Sequence, residues 1–288
     1  MVFIKTMWKR IDMKHSIRAL LLPLALCWVG SAWAQNTAAI ADPLRAAVES
    51  SVRTPAFVKR DEARHPYETL RFFEIKPNMT VLEISPGGGW YTEILAPYLR
   101  DQGHYIAAVY DGRSQVERYQ RYAKMFEEKL ASKPEVFDKV QVNFFEPPNA
   151  LALAEPGTVD RVLTFRNVHN WLDYSEDTAL GMLRSIYSSL KPGGYLGVVE
   201  HRLPAQRTQD AKASSGYVHE DYVIELVQRA GFKLVDRSEI NANAKDSADH
   251  PGGVWALPPS YRNGDADKAK YQAIGESDRM TLKFVKPE

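Results

Sequence analysis

Residues 81–99 read VLEISPGGGWYTEILAPYL. Val81-Leu82-Glu83-Ile84 has the pattern of a buried strand, an apolar stripe at helical spacing follows Trp90, and Gly87-Gly88-Gly89 lie between them. Pro86 biases Ser85 toward extended geometry and so prolongs the strand into the turn. Glycine admits positive φ and lets a ligand lie against bare backbone. A helix beginning near Trp90 presents unpaired N–H groups to a carboxylate or phosphate. Strand, glycine turn and helix in that order predict the first βα turn of a doubly wound sheet, where ligands bind beyond the carboxyl ends of the strands. A purely structural tight turn is the competing reading.

Working outward, β-rich runs predict strands over 80–84, 104–110, 139–144, 159–165, 194–200, 232–240 and 279–286. Amphipathic runs predict helices near 90–100, 114–131, 176–190 and 218–230. Strands separated by crossover helices make right-handed βαβ units. The expected fold is therefore α/β, a Rossmann-like doubly wound sheet of seven mostly parallel strands. The last two strands have no helix pattern between them, which predicts an antiparallel C-terminal hairpin at the edge. Their connection, 241–278, is long enough to suggest a functional loop.

The 37 basic and 36 acidic residues balance, and 44% of the chain is hydrophobic. That composition describes an ordinary globular chain with no nucleic-acid signature. From Met13 the chain reads MKHSIRALLLPLALCWVGSAWAQN, with a basic start, an apolar run and Ala32-Trp33-Ala34. This is the three-part pattern of a secretory signal, with cleavage expected after Ala34 and export to a bacterial periplasm. The apolar run is shorter than the roughly 20 residues a membrane span needs, so no membrane attachment is expected after cleavage. Cleavage also removes Cys27, the only cysteine. The mature chain can then form neither disulfides nor zinc–thiolate sites. The expected organisation is a signal over 1–34, a helical extension over 35–76 and the α/β domain over 77–288. No sequence feature sets an oligomeric state.

The second strand ends at Asp111, about where an acid hydrogen-bonds a ribose diol; a plain Asp-Gly turn is the alternative. Glycine turn and acid together favour an adenosine-type ligand. The strand and turn at 81–89 resemble the first motif of class I S-adenosylmethionine-dependent methyltransferases, and Leu190-Lys191-Pro192-Gly193-Gly194 resembles the LKPGG turn of that superfamily. RDEARHPYETLRFFEIKPNMTVLEISPGGGWYTEILAPYL, RNVHNW, VVEHR and the Asp249–Trp255 loop are similar to a family of exported bacterial methyltransferases assigned from sequence. The resemblance implies S-adenosyl-L-methionine held by Glu83, Ser85, Gly87, Gly88, Gly89 and Asp111. Ser85 stands where the superfamily commonly has its first glycine.

Methyl transfer is an in-line displacement, so the protein aligns the nucleophile and removes its proton. The loop Arg166-Asn167-Val168-His169-Asn170-Trp171 is expected at the same crevice, and His169 is the first base candidate because imidazole titrates near neutrality. His201 is an alternative base and Glu200 an orienting group. His250 is a third candidate, and Asp160 reads as structural. Trp90, Tyr91 and Trp171 could face a sulfonium cation. Arg60, Asp61, Arg64 and His65 could close over the pocket. The histidines have no zinc-motif spacing, so no metal is expected. The function predicted is methyl transfer to a small-molecule substrate. The alternatives are an exported, non-catalytic ligand-binding protein or a cofactor-independent enzyme on the same fold.

Overall fold

The structure, a computed structural model, describes residues 42–288. The expected signal sequence lies outside the described residues. Four short helices come first: α1 (Pro43–Val48), α2 (Pro55–Val58), α3 (Asp61–Arg64) and α4 (Pro66–Phe72). Then follow β1 (Thr80–Ile84), α5 (Thr92–Leu99), β2 (His104–Tyr110), α6 (Glu117–Ser132), α7 (Pro134–Phe137), β3 (Gln141–Phe145) and β4 (Val159–Phe165). The second half comprises α8 (Val168–Tyr174), α9 (Glu176–Ser189), β5 (Leu190–Leu203), β6 (Val218–His219), α10 (Glu220–Arg229), β7 (Lys233–Ser238), a 3-10 turn (Gly253–Ala256), α11 (Lys268–Ile274) and β8 (Arg279–Val285).

The sheet runs β3-β2-β1-β4-β5-β8-β7. β3 through β5 are parallel, and β8 lies antiparallel between β5 and β7. This is the doubly wound architecture with its antiparallel C-terminal hairpin. The eighth strand, β6, is only two residues long and pairs with the end of β5. Strand alternation explains the two cores. Leu82, Ile84, Ile106 and Ala108 face α8, α9 and α10, while Val81, Tyr105, Ala107 and Val109 face α1, α4 and α5. Both faces of the central strands are covered, which is why they read as nearly continuous apolar runs. Charged Lys233, Asp236 and Arg237 are exposed on β7, the edge strand, and discourage pairing with another chain.

Two expectations change. The segment after β4 is a loop only to Asn167; from Val168 it is helix α8. Val168, Trp171 and Leu172 stand at i, i+3 and i+4 and are buried, so one helical face docks on the core. The connection 241–278 carries the 3-10 turn and α11. The helices of residues 43–72 belong to the same compact unit as the sheet. Buried Glu93 of α5 helps to anchor them. It accepts hydrogen bonds from the Thr54 N–H at 2.7 Å and hydroxyl at 2.6 Å, and from Lys129 Nζ of α6 at 2.7 Å. Among the described residues no helix is long and apolar enough to cross a membrane.

Candidate active site

Strand order reverses between β1 and β4, whose onward connections lead to opposite sides of the sheet. The carboxyl ends of these neighbours diverge into a crevice. Both strands run into a left-handed residue, Ser85 at φ 48°, in place of the extended geometry expected before Pro86, and Arg166 at φ 63°. The backbone turns sharply there, at positions where a side chain is normally disfavoured. Asn167 braces the two strands by donating from Nδ2 to the Ile84 carbonyl at 2.9 Å and to Thr164 Oγ1 at 3.1 Å. Gly87 and Gly89 also have positive φ, 60° and 79°. A Cβ on Gly87 would meet nothing within 4 Å, so the turn lies open to the crevice.

The crevice is a cavity of about 330 Å³, at the small end of the range for small-molecule sites. Ser85, Gly87 and Gly88 form its floor, Val109 and Tyr110 one wall, and Phe165, Arg166, Asn167 and His169 another. Arg60 and Arg64 of α3, with Phe57, Trp90 and Trp255, complete it. The Ser85 hydroxyl is buried beside Tyr110 without a hydrogen bond of good geometry.

His169 and Glu200 form a buried pair. Nδ1 of His169 lies 2.9 Å from Oε1 of Glu200. Glu200, wholly buried at the end of β5, also accepts from the His169 N–H at 3.2 Å and the His201 N–H at 2.8 Å. A carboxylate only accepts, so Nδ1 carries the hydrogen and Nε2 is left as the basic atom of a ring that lines the cavity. Trp255 meets this ring edge-on at 5.9 Å. His201 also lines the cavity, with Nδ1 2.6 Å from Ser277 Oγ. Burial, then His169 and the arginines nearby, push the His201 imidazole well below its ordinary range and keep it neutral. Donor atoms of His169, Glu200 and His201 lie within 4.8 Å of one another. Both Glu200 oxygens already receive N–H groups.

Above this pair sits an arginine cluster. Glu276 accepts from Arg60 Nε at 2.6 Å, Arg64 Nε at 3.2 Å and Arg279 Nη1 at 3.1 Å. These cations hold the Glu276 carboxyl at about 2 against the opposing effect of burial. Burial, then repulsion from Arg166, lowers Arg64 to about 9. Arg279 falls to about 10, chiefly through burial.

The sequence-expected residues divide. Ser85, Gly87, Gly88, His169 and His201 line the cavity, and Glu200 stands directly behind His169. Gly89 supports the turn from below, where a Cβ would come within 2.8 Å of Lys129. The two acids expected to hold the cofactor, Asp111 at a ribose and Glu83 as the motif acid, are not in the cavity wall. Glu83 points into the core beneath α5 and accepts from the Tyr105 hydroxyl at 2.6 Å, because strand alternation puts it on the Val81 face. Asp111 is held by Arg113, with Nε at 2.9 Å and Nη2 at 2.7 Å, and this pairing lowers its carboxyl to about 2. His250 is buried away from the cavity against Asp246, which also accepts from Tyr217. Asp160 joins the Thr80 N–H to Lys191 at the opposite end of the sheet. Trp90 lines the cavity, whereas Trp171 is core and Tyr91 stacks on Phe165 at 3.8 Å. Arg60 and Arg64 do cover the cavity, while Asp61 pairs with Arg53 and His65 is the left-handed link between α3 and α4. Tyr110 and Glu276 were not singled out from the sequence, and Trp255 only as the end of the Asp249–Trp255 loop; for Glu276 the length of the connection was the one sign.

No family model matches the chain, and none of the curated proteins searched matches it. Solved structures do. A SAM-dependent methyltransferase from Aquifex aeolicus is 19% identical, with a TM-score of 0.53 over 85% of this chain and 98% of that one. A candidate sarcosine dimethylglycine methyltransferase from Galdieria sulphuraria is 14% identical, with a TM-score of 0.51 over 80% of this chain and 85% of that one. At such identities the likeness concerns architecture: this chain has the Rossmann-like fold of class I S-adenosylmethionine-dependent methyltransferases.

Proposed function

We propose that the protein transfers a methyl group from S-adenosyl-L-methionine to a small molecule, with His169 as the base. The observation carrying this reading is that the His169–Glu200 pair opens onto the same cavity as the glycine turn, at the switch point of this fold. The lining suits the cofactor at open backbone over Gly87, at the unpaired Ser85 hydroxyl and along the apolar wall of Val109, Tyr110 and Phe126. With no acid in the lining, Ser85 is the polar side chain nearest the turn to meet ribose hydroxyls, and backbone N–H groups leading into α5 suit a carboxylate. Bound there, the cofactor supplies an electrophilic methyl group on a sulfonium.

The remaining work falls to the chain. His169 Nε2 takes the acceptor's proton as the nucleophile attacks, and Glu200 fixes the ring and stabilises the imidazolium. Neutral His201 places no competing positive charge beside that imidazolium. Phe57, Trp90 and Trp255 line the cavity with apolar surface. Export, expected from the leader at residues 13–34, is part of the proposal; a secreted product beginning at Gln35 supports it and an uncleaved chain opposes it. Calorimetry with S-adenosylmethionine and its demethylated product tests the core reading. Saturable binding is expected, and no heat at millimolar ligand removes it. Once an acceptor is found, His169→Gln should lower turnover about 10²–10⁴-fold; unchanged turnover overturns the base assignment.

A further inference from the structure

The charge on the cavity is one-sided. Its lining contains Arg60, Arg64, Arg118 and Arg166 and no carboxylate. Behind it, Glu276 alone serves three guanidinium groups, those of Arg60, Arg64 and Arg279. Arg166 has no side-chain hydrogen bond or ion pair among the described residues, and Arg64 Nη2 is buried without a partner. Arg64 is buried and Arg166 half-buried, and Glu276 and Glu200 offset Arg166 only through space, so the cluster carries more positive than negative charge, which a partly desolvated site disfavours. A fold that holds Arg166 at φ 63° to face this space keeps that imbalance in place.

We propose that the methyl acceptor carries an anionic group, a carboxylate or phosphate, seated between Arg166 and Arg64 beside His169. The identification of that anion as an acceptor rests on the methyltransferase reading. Position argues for it. Arg166 lies three residues before His169, at the entrance to α8, and Arg166, Arg279 and Arg64 are close enough to His201 to disfavour its charged form. An anion on these arginines therefore sits next to the base, where the nucleophile must be. A planar guanidinium engages a carboxylate or phosphate through paired N–H donors, giving register as well as affinity. Phe57, Trp90, Phe126 and Phe165 supply apolar surface to the rest of the cavity. The acceptor is thus a compact acid with an apolar, commonly aromatic, body.

The test uses benzoate, its neutral counterpart benzamide and inorganic phosphate, titrated against the mature protein while tryptophan fluorescence is followed. Trp90 is the reporter, since the Arg64 guanidinium stacks 4.8 Å from its ring. Benzoate should bind saturably and at least about ten-fold more tightly than benzamide, as expected for a charge-assisted pair. Arg166→Gln should remove that preference and leave benzamide unchanged. Arg60→Gln, at a partly exposed position, should weaken benzoate in the same direction and serves if Arg166→Gln does not fold. Phosphate binding without benzoate binding assigns the anion as phosphate. Equal affinity for benzoate and benzamide, or an Arg166→Gln protein that still prefers benzoate, overturns the proposal. So does displacement of benzoate by S-adenosylhomocysteine, because the arginines would then hold the cofactor's own carboxylate. If benzoate binds through Arg166 while S-adenosylhomocysteine gives no heat, the anion seat stands and the methyltransferase reading falls.

Discussion

Glu83→Gln separates a carboxyl that holds a ligand from one that the fold keeps protonated. Glu83 is buried at the end of β1, and burial raises its carboxyl from 4.5 to about 7, against smaller opposing effects from the Tyr105 hydrogen bond and from Arg166 and Arg64. Between those two values the folded chain binds a proton that the unfolded chain has released, so stability falls as pH rises from 4.5 toward 7, and the loss is complete above that. At about 1.4 kcal/mol per pH unit the whole loss is at most ~3.5 kcal/mol. Glutamine keeps an acceptor for the Tyr105 hydroxyl but brings an amide N–H₂ into the core, at a cost of about 1 kcal/mol. Glu83→Gln should therefore be more stable than the parent by up to about 2.5 kcal/mol at pH 8, and less stable by about 1 kcal/mol or equal at pH 4.5. Urea unfolding at both pH values reads this directly. His201 acts in the opposite direction, being neutral in the fold, so that protonation of the unfolded chain lowers stability as pH falls below about 6.5. That contribution is common to both proteins and leaves the difference between them untouched. Parallel stability curves for parent and variant across this range would refute the account. Calorimetry adds a second readout: Glu83 does not line the cavity, so affinity for S-adenosylhomocysteine should be unchanged.

Three further outcomes follow from the geometry. Glu200→Gln should lower turnover by about 10²-fold or more at unchanged acceptor KM, since the ring loses the charge that fixes its tautomer; a steady-state assay decides it. Gly89→Ala, at φ 79° with a Cβ 2.8 Å from Lys129 Cγ, should destabilise the fold by about 1–3 kcal/mol in thermal melts, whereas Gly87→Ala should cost only the ~1 kcal/mol of left-handed alanine and weaken cofactor binding instead. Glu276→Gln strands Arg60, Arg64 and Arg279 beside Arg166 and should cost about 3–5 kcal/mol by urea unfolding, with part of the loss recovered in millimolar benzoate.

The sheet was legible because its signals are local: short, nearly continuous apolar runs at 80–84 and 104–110, the glycine turn between them, and apolar stripes on the intervening helices. The site was legible only where a residue's place in the chain fixed its place in the crevice. His169 follows β4 and His201 lies near the end of its parallel neighbour β5, so their meeting at one sheet edge is dictated by topology, and Glu200 joins them because strand alternation turns it toward α8. Asp111 shows the limit. Chain position put an acid past the tip of β2, yet which way its carboxylate turns depends on Arg113, two residues on, and sequence spacing does not weigh that competition. Arg64 and Glu276 show the complementary limit. They lie far apart in the chain and meet only because α3 and the segment before β8 close over the same sheet edge. In Arg166 the two kinds of information join. Its position after β4 was readable, but its significance appears only when Arg60, Arg64 and Arg279 have been matched to Glu276 and Arg166 is found to form no ion pair of its own among the described residues.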